Sequence, residues 1–155
     1  MQLIAPTTMQ AQRETGLAPP QHVVIPSDPG EARRVQDQIE QLLQSSPCQD
    51  HELFSIKLAL EEALVNAIKH GNQHDRNKKV DISYQVLADR FVINITDEGE
   101  GFDPADVPDP TAVENLERPC GRGLMLIKHY MTEVEYNKRG NSVTLLKLFH
   151  CNGRK

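Results

Sequence analysis

Apolar residues recur along this chain first at helical and then at strand spacing, and the change of period divides it into elements. Ser27 or Asp28 can cap a helix whose first turn takes Pro29. From there Val35, Ile39, Leu42 and Leu43 stay at helical spacing until Pro47 blocks continuation. A second helix is predicted from about residue 49 to residue 70, with Leu53, Leu60, Leu64 and Ile68 among its apolar positions. The period then falls to two. Residues 80–87 and 90–96 alternate on either side of Ala88-Asp89, the pattern of a β-hairpin. Residues 122–131 return to helical spacing, and 133–136 with 142–149 form a second hairpin around a turn at 138–141. Ahead of the first helix, residues 22–26 are a short β-branched run closed by Pro26, which suits the edge of a sheet. Helices that precede and interrupt paired strands predict an α/β fold, a two-layer sandwich on a mostly antiparallel mixed sheet.

Three segments fall outside this pattern. Residues 1–20, ending in Pro19-Pro20, read as a flexible leader, so the domain is expected to span 21–150. Residues 97–110 are rich in Gly, Asp and Pro and read as loop, and 111–119 fit either a short helix or an irregular segment. A length of 155 residues suits one domain with a substantial core. The net charge of −5 argues against direct nucleic-acid binding by phosphate neutralisation, and the basic run 76–79 follows Asp75 as a polar loop. No apolar run reaches membrane-spanning length and no secretory signal opens the chain, so a cytoplasmic protein without a membrane partner is expected. Cys48, Cys120 and Cys151 are scattered and odd in number, which fits reduced thiols. His70 and His74 are four apart, but Gly71 between them is suited to end the helix and spoil a metal pair.

Chemistry concentrates in three short motifs. Glu62 and Asn66, four apart, project from one face of the second helix, while Leu60, Leu64 and Ile68 fall on the other. A carboxylate and a carboxamide so placed can orient or deprotonate an attacking group and offer an oxygen to Mg²⁺. Alone, such a pair is ordinarily a solvated polar face. The second motif is Asp97-Glu98-Gly99-Glu100-Gly101-Phe102, at the end of an apolar strand. A carboxylate directed from a sheet into a pocket needs a donor, for which an adenine amino group is suited, and Gly99 and Gly101 allow backbone to approach a flat ring. Its ordinary reading is a polar turn. The third is Gly121-Arg122-Gly123 ahead of Leu124, where glycines before a helix expose amides at its positive end, a natural anion site. No G-K-[ST] follows, so it is not a P-loop.

Taken in order, these motifs resemble the N, G1 and G2 boxes of the histidine-kinase-like ATPase superfamily, whose Bergerat ATP-binding fold is an α/β sandwich. Within it the short chain and the run Glu62-Ala-Leu-Val-Asn66-Ala-Ile-Lys-His70-Gly71-Asn72 look most like the bacterial anti-sigma-factor serine kinases. The likeness covers residues 22–149. It implies ATP and Mg²⁺ as cofactors, Glu62 as the base facing a serine hydroxyl, Asn66 as the Mg²⁺ ligand, and Asp97 as the adenine reader. By the same resemblance Gly99 and Gly101 line the base, and Gly121, Arg122 and Gly123 end the ATP lid. His70, Gly71 and Asn72 take helix-ending and pocket-wall roles. Glu61, about 100° around the helix from Glu62, is expected to face solvent or serve structure.

The implied partners are a sigma factor and an anti-anti-sigma (antagonist) protein, the one sequestered and the other phosphorylated on serine; the resemblance also allows a homodimer. Arg33 and Arg34 could meet an acidic partner, although a solvated helix face is the ordinary explanation of such charges. The alternative is a non-catalytic ATP-binding module of the same fold that only sequesters its partner. Glu62, Asn66 and Asp97 together favour retained catalysis.

Overall fold

The computed structural model describes residues 19–100 and 119–150. Strand β1 (Gln21–Pro26) is followed by helix α1 (Pro29–Gln44) and helix α2 (Asp50–Val65), which passes into a π-helical turn, Asn66–Gly71. Strands β2 (Lys79–Val86) and β3 (Arg90–Asp97) come next, then helix α3 (Pro119–Tyr130) and strands β4 (Glu133–Tyr136) and β5 (Ser142–Leu148). The five strands form one sheet in the order β1-β2-β3-β5-β4. Every pairing among them is antiparallel. The expected α/β sandwich is therefore present, and the edge position read from Pro26 holds for β1.

Strand periodicity decides which face is covered. On β2 and β3 the register pairs Ile82 with Ile95, Tyr84 with Ile93 and Val86 with Phe91, and all six are buried. On β5, Leu145 and Val143 continue the same rows against Ile93 and Ile95. Val35, Ile39 and Leu43 from α1, Ile56, Leu60 and Leu64 from α2, and Ile127 from α3 complete this core. Each fully buried aliphatic or aromatic side chain in it stabilises the fold by roughly 1.5–3 kcal/mol. The alternate residues Ser83, Asn94, Thr96 and Thr144 lie on the other, only partly covered face. There Asn94 donates to Ser142 Oγ at 3.1 Å and to Thr144 Oγ1 at 3.0 Å.

The helix ends are set by local chemistry. Asp28 caps α1 by accepting from Gly30 N at 3.1 Å, with Pro29 in the first turn, while Ser27 is buried and donates to Lys78 O at 3.0 Å. At the start of α2 the Glu52 carboxylate is buried and spans two chain segments. It accepts from Gln49 N at 2.9 Å and from His150 N at 2.6 Å, fastening the end of β5 to the helix that leads to Glu62. The neighbouring Cys48 is a free, half-buried thiol. Burial, with help from Glu52, pushes it up to about 11, so it stays protonated and unreactive at neutral pH. Among the described residues no helix is long and apolar enough to cross a membrane.

Two boundaries differ from the sequence reading. The second helix does not continue as α-helix to His70: its regular part stops at Val65, and the next turn is π-helical. Helix α3 begins at Pro119, so Gly121 and Gly123 lie inside it and not before it. Proline suits the first helical position because its missing N–H would have had no partner there.

Candidate functional site

Helix α2 presents Glu62 one turn from its end, and Asn66 opens the π-helical turn. Both are partly exposed, whereas Ala63, Leu64, Ala67 and Ile68 are buried, so packing turns the polar pair away from the core. Glu61 is exposed and lines a different feature, a cleft of about 350 Å³ between α1 and α2 that Arg33, Glu40 and Lys57 also border. Neither Glu62, Asn66 nor Asp97 lines that cleft. The separation of Glu61 from Glu62 expected from helical geometry is thus present.

The π-helical turn carries the chain from this pair to the second motif. Asn72 N bonds to Ala67 O at 2.8 Å, five residues back, and His74 N to Ile68 O at 2.8 Å. Such wide turns concentrate at functional sites. Here the widening brings the Gly71 backbone directly against the Asp97 carboxylate. A Cβ on Gly71 would overlap that carboxylate, and a Cβ on Gly99 would overlap the Gly71 carbonyl. The end of the N-box helix and the strand-ending turn thus meet at a distance that only glycine permits. Immediately after, Gln73 and His74 adopt φ of 54° and 60°, a left-handed reversal that non-glycine residues enter only under constraint. His70 lies on the π-turn and His74 beyond it, so the two do not share a helical face. Burial, then the charge of Lys69 and His74, lowers the pKa of His70.

Asp97 is a partly buried carboxylate at the end of β3. Oδ1 accepts from Gly99 N at 2.8 Å, and burial raises the pKa above the ordinary value, partly offset by that hydrogen bond and by Arg139 and Lys78. Its backbone is held too, Asp97 N donating to Asn141 O at 2.9 Å and Asn141 Nδ2 to Asp97 O at 2.9 Å. This fits the recognition of an amino group. The carboxylate is held in place, costly to desolvate and in need of a donor, beside a glycine-lined surface where a ring can lie.

Sequence reasoning gave Asn72 only a wall role, and the structure gives it more. Its side chain is fully buried. Nδ2 donates to Ser27 Oγ at 2.8 Å and to Lys79 O at 3.0 Å, while Oδ1 accepts from Glu98 N at 2.8 Å. One carboxamide thereby joins the end of the N-box turn, the β1–α1 junction, the start of β2 and the turn after Asp97. Asn72→Ala strands those partners in a buried space, at a cost of roughly 1–3 kcal/mol for each group left without a bond. Loss of about 2–4 kcal/mol in chemical denaturation is expected. An unchanged midpoint would show that the network does not hold the fold.

The third motif is only partly in view. Gly121 lies in the leading turn of α3, where amides lack intrahelical partners, and Gly123 lies past it. Gly101, and with it the 101–118 segment expected to be loop and lid, lies outside the described residues. Among the described residues no three His, Cys, Asp or Glu side chains are grouped to hold a metal ion.

Comparison with known proteins agrees with this geometry. The profile of the histidine kinase-like ATPase domain matches residues 25–147. The chain is 32% identical over 111 residues to serine-protein kinase RsbW of Bacillus subtilis, covering 67% of this chain and 68% of that one. It is 36% identical over 112 residues to the anti-sigma F factor of Oceanobacillus iheyensis, covering 68% of this chain and 75% of the relative. A solved structure of the RsbU and RsbW domains of a Mycobacterium tuberculosis protein superposes with a TM-score of 0.58 at 16% identity. That superposition covers 86% of this chain and 32% of the other, and it speaks for the fold alone.

Proposed function

The chain belongs to the histidine kinase-like ATPase domain family, and on that premise we propose that it is an ATP-dependent serine-protein kinase that also sequesters a sigma factor. Its protein substrate is then an anti-anti-sigma (antagonist) protein. The observation that carries the reading is the contact of Gly71, Asp97 and Gly99. It sets the helix of Glu62 and Asn66 against a base-sized recess with a partly buried carboxylate in it.

Each residue then has a task. Asp97 reads the adenine amino group and selects ATP over GTP. Gly99, with Gly101, leaves room for the ring. Asn66 offers its amide oxygen to Mg²⁺, which keeps most of its shell as phosphate oxygens and water and so asks for few protein ligands. When bound, Mg²⁺ neutralises phosphate charge as it builds in the transition state. The amides around Gly121, Arg122 and Gly123 receive the phosphates, and Glu62 orients the acceptor serine hydroxyl and takes its proton. Positioning and electrostatics suffice, because loose phosphoryl transfer asks little of the base.

The test is incubation of labelled ATP with this protein and candidate antagonist domains. Label appearing on an antagonist serine is expected; a stable complex without transfer would favour the sequestering module instead. Asn66→Ala is expected to weaken Mg·ATP binding about 10–100-fold, and to remove most of the difference between affinity measured with Mg²⁺ and with chelator. Retention of that difference in calorimetry would take Asn66 out of the metal shell.

A further inference from the structure

The turn between β4 and β5, which no motif singles out, closes over the Asp97 segment. Its own shape is preset: Asn137 Oδ1 accepts from Gly140 N at 2.7 Å and from Asn141 N at 3.1 Å, and Gly140 takes φ of 81°. From this turn Arg139 reaches the residues after Asp97. NH2 donates to Gly99 O at 3.1 Å and Nε to Glu100 O at 3.4 Å. These are backbone carbonyls of the very turn whose amide at Gly99 holds Asp97 Oδ1. Asn72 grips the same turn from the opposite side, at Glu98 N. The guanidinium is also a positive charge acting on the Asp97 carboxylate, as is Lys78.

We propose that Arg139 is a positioning residue for base selection: it fixes the Gly99–Glu100 backbone so that Asp97 meets an adenine amino group at hydrogen-bonding distance. It touches neither base nor phosphate in this account and acts through the turn. Fork geometry matters here, since a guanidinium can satisfy two carbonyls from one plane whereas an ammonium cannot. A loosened turn misplaces the acceptor, and displacements of about 1 Å at such sites cost up to ~100-fold.

This inference rests on the reading of Asp97 as the adenine group, and the experiment separates the two. Dissociation constants for ATP and GTP are measured by competition against a fluorescent ATP analogue for wild type, Asp97→Asn, Arg139→Lys and Arg139→Ala, with thermal unfolding of each. Wild type is expected to prefer ATP, Asp97→Asn to lose that preference, and Arg139→Ala to weaken ATP about tenfold while GTP changes less than twofold. Arg139→Lys is expected to recover only part of the preference. Equal loss of both nucleotides, or an unchanged ratio in both Arg139 variants, overturns the role of Arg139 while leaving Asp97 in place. No preference in the wild type overturns the Asp97 reading, and this inference with it. Arg139 is a turn residue whose side chain reaches backbone from the surface, so folding of at least the lysine variant is expected.

Discussion

Glu62→Gln is expected to lower serine phosphotransfer about 10²–10⁴-fold while leaving Mg·ATP affinity within about twofold. Glutamine keeps the size of the side chain and one acceptor oxygen but cannot take a proton or offer a full negative charge. Glu62 stands partly exposed on the last turn of α2, beside Asn66 and away from the buried Ala63 and Leu64, so the exchange disturbs no packing. A loss confined to transfer, read with labelled ATP and a purified antagonist, assigns the charge to the acceptor and not to the nucleotide. Glu61→Gln is the matched comparison, since Glu61 faces the cleft between α1 and α2. Its rate should equal that of wild type. Equal transfer by Glu62→Gln would remove Glu62 from the base role.

Asp97→Asn should separate binding from stability in opposite directions. Asparagine retains an oxygen for Gly99 N but presents an amide where the adenine amino group needs an acceptor. ATP affinity is expected to fall at least ~100-fold, as when a site built for one hydrogen-bonding pattern meets another. The unliganded fold is expected to be unchanged or up to ~1 kcal/mol more stable, because the cost of holding a charge in a partly dry recess disappears.

The pH dependence fixes the sign of that gain. Burial holds the folded-state pKa of Asp97 above its ordinary value. Ionised Asp97 therefore subtracts from stability at neutral pH, and the subtraction is relieved as pH falls through the raised folded-state pKa. The advantage of the asparagine variant should be largest above that pKa and vanish below the ordinary carboxylate value. Wild-type ATP affinity should weaken over the same acid range as the acceptor protonates. Denaturation and binding curves from neutral pH to pH ~4 check both, that range being where ordinary carboxylates titrate. A destabilised variant at neutral pH would show that the carboxylate serves the fold.

What could be read from the chain beforehand follows from how each signal is encoded. Helix α1 and the β2–β3 hairpin announce themselves, because burial on one face forces a period of 3.6 or 2 on the residues, as Val35, Ile39 and Leu43 or Ile82, Tyr84 and Val86 display. Glu62, Asn66 and Asp97 were legible because their residue types occur in a fixed order, and Asp97 does end its strand beside the helix terminus. The π-helical turn left no such mark, since a change of backbone partner from four to five residues back alters no composition. The start of α3 was misplaced because Pro119 reads equally as the close of a loop and the opening of a helix. Arg139 was out of reach for a different reason. Its targets are carbonyl oxygens some forty residues away, and every residue has one.

The π-helical turn also bears on how this chain tolerates changes in length. Seen as bookkeeping of residues, the segment from Asp50 to Gly71 contains one more than a regular helix would use to cover that rise, and the surplus is lodged between Asn66 and Gly71. A deletion in that window would let the helix become regular and swing all that follows by about 100°. Gly71 would leave Asp97 and Asn72 would leave Glu98, with every functional side chain still present in the sequence. Substitution is thus the milder form of variation at this junction, and a change of one residue in length is the form that its geometry cannot absorb.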